Sequence, residues 1–162
     1  VSAAILPSPA AVDALLCLTA LIALLVTAAI SDVRWRRIGN RLCIVVAVLA
    51  LPYWLVVEPH HPIRLLIQIA VALGVGIVLL VPFIANLLGG GDVKLMTALA
   101  LWLPPASLIE AIMIVSIAGG VLGLILLIAA RRRLAEPTVP YGVAIALAGI
   151  VESVQRIAVL FG

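Results

Sequence analysis

The chain has 162 residues, 66% of them hydrophobic and only 10% charged, with a mean hydropathy of +1.39. A water-soluble domain of this length needs far more polar surface, and apolar runs that are continuous instead of alternating argue against a transmembrane barrel. The net charge of +3 does not indicate nucleic-acid binding, because most of the excess arginines sit between apolar runs, where they act as topology signals.

The expected fold class is all-α: a polytopic membrane protein, one compact domain over residues 1–162, with about six transmembrane helices. The opening stretch VSAAILPSPAAVDALL lacks the basic segment of a secretory signal, so the first apolar run reads as a retained helix. With polar breaks as boundaries the spans run from Ala14 to Ile30, Leu42 to Val57, Leu65 to Leu87, Val93 to Leu103, Leu108 to Ala130 and Tyr141 to Leu160. The first loop carries Arg34, Arg36, Arg37 and Arg41; the third carries Lys94; the fifth opens with Arg131, Arg132 and Arg133. The second loop has Glu58, His60, His61 and Arg64, and the fourth has no charge. The positive-inside rule then makes the odd-numbered loops cytoplasmic and puts both termini outside.

The fourth span is too short. A helix from Val93 to Leu103 rises about 16 Å, against a hydrocarbon layer of about 30 Å. Either the membrane thins there or the glycine-rich segment before it dips below the cytoplasmic surface, which irregular backbone tolerates only inside protein or along a wet cavity. Pro82 and Asn86 favour a bent end to the third span. Small residues recur four apart at Ala70/Gly74, Ala72/Gly76, Ser116/Gly120 and Gly119/Gly123, a spacing that lets helix backbones approach closely in lipid. Cys17 and Cys43 read as small buried apolar residues, and no disulfide framework, metal site or cofactor is indicated.

Three aspartates remain. Asp13 is interfacial. Asp32 ends the first span and Asp92 opens the fourth, so both fall at the same, cytoplasmic end of the bundle. An ionisable group near lipid is costly and points to function. Two facing carboxylates do not both ionise easily and hold one proton between them. The ionised member takes a proton from water while the neutral one donates to a peptide carbonyl, which is aspartic protease chemistry. Gly89, Gly90 and Gly91 would let a substrate backbone lie close and would permit positive φ. Lys94 reads as a headgroup anchor or as a group tuning the acids. Glu152 and Arg156, four apart, read as an ion pair. Glu58, His60 and His61 read as a plain polar loop.

SDVRWRRIGNRL, LGGGDVKLM and VPYGVAIALAG together resemble the type IV prepilin peptidase family of GxGD-type intramembrane aspartyl proteases. The GxGD glycines fall on Gly89 and Gly91, the two catalytic aspartates on Asp92 and Asp32, the loop asparagine on Asn40, and the proline–aromatic–glycine element on Pro140, Tyr141 and Gly142. Gly39 and Val143 stand where the family often has proline. The resemblance implies a substrate, a prepilin or pseudopilin with a basic leader and a hydrophobic helix that stays in membrane lipid, cut on the cytoplasmic side. It also implies the short, peptidase-only form found with Tad or Flp pilus systems, without N-methylation. Asn40, Gly89, Gly90, Gly91, Lys94, Pro140, Tyr141 and Gly142 are the expected substrate-binding residues. The alternatives are a preflagellin peptidase, a small proton-coupled transporter using Asp32 and Asp92 as a relay, and a catalytically silent scaffold for pilus assembly.

Overall fold

A computed structural model describes residues 8–131 and 139–161. The described residues form six helices and no strand: α1 Pro9–Trp35, α2 Asn40–Val57, α3 Pro62–Ile84, α4 Gly90–Ala100, α5 Pro105–Arg131 and α6 Tyr141–Phe161. Five are long and apolar enough to cross a membrane; α4, with 11 residues, is not. The expected bundle of about six spans is thus five spans and one short inner helix. Arg132 and Arg133, which the expected topology uses, lie outside the described residues.

The helices begin and end where local chemistry dictates. Ser8 caps α1, accepting the Ala11 N–H at 3.2 Å, with Pro9 in the first turn, where its missing N–H costs nothing. At the far end Arg36 adopts the left-handed region (φ 52°) and donates its N–H to the Asp32 carbonyl. α3 continues through Pro82 to Ile84. Asn86, at φ 56°, then turns the chain, with Asn86 N–H bonded to Phe83 O and Leu87 N–H to Pro82 O. That is a Schellman ending with asparagine in the left-handed position usually held by glycine.

The inner face of α1 is a seam of Ala14, Leu18, Leu21, Leu25, Ala28 and Asp32, all buried. Steps of four and three residues keep that seam on one side of the helix, and the side continues onto the carboxylate. α1 packs on α6 and α2, and α4 sits between α2, α3 and α6. Seven of the eleven α4 residues are buried, so the shortest helix is the central one. Gly149 of α6 marks the convergence: a Cβ there would come within 2.6 Å of Leu25 on α1 and 2.9 Å of Leu99 on α4.

Ending a helix inside the bundle leaves carbonyls without partners. Neighbouring side chains supply donors to four consecutive ones. Gln68 of α3 donates to Ala100 O and Leu103 O. Trp54 of α2 donates to Leu101 O at 2.6 Å, and Arg156 of α6 to Trp102 O at 2.6 Å. The expected Glu152–Arg156 pair does not form. Arg156 turns to Trp102 O and the Tyr53 hydroxyl, while Glu152 Oε1 is buried without a hydrogen bond. A carbonyl left without a partner at low dielectric is a strong acceptor, and the guanidinium supplies the donor it needs. Glu58 pairs with Arg64.

Two of the four small-residue pairs pack against other helices. Gly76 meets Thr97 of α4, and beside it Ala72 is buried; Gly119 lies under the Tyr141 ring, with Gly123 near Val139. Gly74 and Gly120 have nothing within 4 Å of a Cβ position, so the expected tight packing fails for Ala70/Gly74 and Ser116/Gly120.

Candidate active site

Asp32 and Asp92 line the same space. A cavity of about 610 Å³ has both as walls, with Arg36, Asn86, Gly89, Gly90 and Tyr141 among the others. An adjoining cavity of about 400 Å³ is also lined by both, together with Arg37, Gly39, Asn40 and Gly91. Asp32 and Asp92 are 6% and 9% exposed. They are therefore nearly enclosed by protein and line a common hollow.

Each acid is held by a glycine. The Gly142 N–H, at the start of α6, donates to Asp32 Oδ2 at 2.9 Å. A Cβ on Gly142 would stand 2.8 Å from that same oxygen, so only glycine lets the backbone come this close. Asp92 is the third residue of α4, after Gly90 and Gly91, with Gly89 as N-cap. Its carboxylate folds back over the Gly89 backbone, to within 2.8 Å of where a Gly89 Cβ would be. An acid at this position satisfies an orphan N–H at the N-cap and meets the positive end of the helix dipole.

The triple glycine works by close approach. Among the described residues no glycine has positive φ, so the expected use of that freedom is not realised; the positive values fall on Arg36 and Asn86. The reason is local: Gly89 is extended (φ −73°, ψ 145°) and feeds straight into the helix, which needs no left-handed residue. A Cβ on Gly90 would stand 3.2 Å from the Phe83 ring, and one on Gly91 3.1 Å from the Ile38 side chain. α4 therefore starts three residues earlier than its apolar run.

The other expected site residues divide into walls and supports. Gly89, Gly90, Gly91, Asn40 and Tyr141 line the cavities. Lys94 is exposed and donates from Nζ to Asn40 Oδ1 at 2.9 Å, tying α4 to the start of α2. Pro140 is buried and Gly142 acts through Asp32. Arg36, Phe83, Asn86 and Val139 also line the larger cavity and were not singled out from sequence; the asparagine ending α3 was the one legible signal among them. The Ser31 hydroxyl donates to Arg37 O at 2.7 Å, holding the basic loop against the end of α1.

No curated protein and no solved structure matches the chain. A family model does: that of the type IV leader peptidase family, over residues 19–124. The matched stretch runs from α1 into α5 and carries both aspartates, the basic loop and the glycine segment; Gly142 lies beyond it. Because the match covers well over half of the sequence and includes the two acids that share the cavity, the chain belongs to the type IV leader peptidase family and is a membrane-embedded peptidase.

Proposed function

We propose that the chain is an aspartic endopeptidase that removes the leader from type IV prepilins or pseudopilins at the cytoplasmic face of the cell membrane, with Asp32 and Asp92 as the catalytic pair. The observation that carries this reading is the hollow lined by both carboxylates, one from the end of α1 and one from the start of α4.

The pair shares one proton. The ionised carboxylate removes a proton from a water held between the acids, and that water attacks the scissile carbonyl carbon. The neutral carboxyl donates to the carbonyl oxygen as it gains charge. Collapse of the tetrahedral intermediate sends a proton to the leaving amine. Gly142 positions Asp32, the α4 N-terminus positions Asp92, and the bare backbone at Gly89 and Gly90 leaves room for an extended strand. The exposed Arg34, Arg36, Arg37, Arg41 and Lys94 all lie at this end of the bundle, which supports its cytoplasmic placement. The same end is where a basic leader would project from an apolar helix lying in the bilayer. The proton-coupled transporter reading finds no counterpart in the family match.

The test is co-expression with candidate prepilins, following leader removal by mass. Asp32→Asn and Asp92→Asn each lower the cleavage rate by about 10³-fold while still inserting into the membrane. Wild-type cleavage by either variant removes that residue from the pair.

A further inference from the structure

α3 packs along α4, and α5 packs along α6, but among the described residues α3 and α5 touch at most marginally. Between them lies a cavity of about 360 Å³ lined by Leu79 of α3, Met96 of α4, Ser116 and Gly120 of α5, and Tyr141 of α6. Its flanks carry outward apolar side chains, with Val78 67% and Ile117 69% exposed, so it opens sideways toward lipid. It lies beside the aspartate hollow, with Leu88 and Tyr141 as walls of both.

We infer that the groove between α3 and α5 seats the apolar helical segment of the substrate that follows the scissile bond. The inference rests on reading the aspartate hollow as the place of cleavage. A peptide bond held between Asp32 and Asp92 must continue into its membrane helix, and the space that shares Leu88 and Tyr141 with that hollow leads into the bilayer. The groove wall suits a helix. Ser116 and Gly120 are one turn apart, a spacing that a neighbouring element fills at Ala72/Gly76 and Gly119/Gly123, and here the position above Gly120 is empty, as it is above Gly74 on α3. The Ser116 hydroxyl is spent on Ile112 O of its own helix at 2.8 Å, so the wall presents small, effectively apolar surface. Close backbone approach over small residues is the main attraction available between helices in lipid.

The test traps substrate without needing cleavage. The chain carries Ser116→Cys, with Cys17→Ala, Cys43→Ala and Asp92→Asn, and the prepilin carries single cysteines along its apolar segment. Oxidation yields disulfides at substrate positions recurring every three or four residues, the period of one helix face. A control cysteine at Ile44, which is equally lipid-facing on α2 (61% exposed), yields none. No product at Ser116→Cys, or equal product at Ile44→Cys, overturns the inference. A second measurement uses Gly120→Leu, whose side chain enters open space and displaces no packing: KM for the prepilin rises about tenfold with kcat near wild type. An unchanged KM also overturns it. Trapping reports docking and the aspartate variants report chemistry, so the two readings fail separately.

Discussion

At Gly142 a hydrogen atom stands where any other residue would bring a carbon to 2.8 Å from the Asp32 carboxylate. Gly142→Ala therefore turns Asp32 away from the hollow. Misplacing a catalytic group by about 1 Å costs about 10²-fold in rate, and kcat for leader removal falls by that amount. KM changes little, because Gly142 is not a wall of either cavity. The position of Asp32 was readable from sequence, because an ionisable group at the end of an apolar run is costly near lipid and so stands out. The role of Gly142 as a donor was not, since it depends on α6 beginning beside the end of α1, 110 residues away in sequence. Lys94 shows the opposite case. It is exposed and bonded to Asn40, so Lys94→Met costs under about 1 kcal/mol of stability, read from thermal unfolding in detergent.

Among the elements, α4 carries the most unusual arrangement. A helix of 11 residues ends inside the bundle because donors from α2, α3 and α6 accept the task of bonding its last carbonyls. Gln68→Leu leaves Ala100 O and Leu103 O buried and unbonded, and each such group costs about 1–3 kcal/mol. Unfolding in mixed detergent, followed by tryptophan fluorescence, measures the loss. The short length of α4 was legible from the distance between the glycines and the prolines of Leu103-Pro104-Pro105. Its caps were not: Gln68, Trp54 and Arg156 are scattered over three helices, and Arg156 had a carboxylate four residues away that sequence spacing favours as its partner. Helix spacing ranks partners on one helix and is blind to a carbonyl arriving from another.

For the whole molecule, the wedge at Gly149 and the direction of the bundle make the clearest predictions. Gly149→Val forces Leu25 and Leu99 aside where α1, α4 and α6 meet, an overpacking that costs about 1–3 kcal/mol and lowers the detergent melting temperature. For orientation, a single cysteine at His61, with Cys17 and Cys43 replaced by alanine, reacts with an impermeant maleimide added outside intact cells. A single cysteine at Arg37 does not until the membrane is opened. The reverse labelling pattern would turn the aspartate hollow outward.

The sequence by itself determined the membrane class, the number and order of helices, the brevity of α4 and that both acids share one end of the bundle. Those properties follow from local quantities: hydropathy summed along a window, the rise of a helix per residue, and the sign of charge between apolar runs. Only the tertiary structure decided that the triple glycine serves close packing without positive φ, that Arg156 leaves Glu152 for a carbonyl, and that one small-residue pair on α5 faces an open groove while another is filled by Tyr141. These depend on which side chains arrive from distant parts of the chain, and at the low dielectric of a bundle interior each backbone group takes whatever donor its neighbours bring.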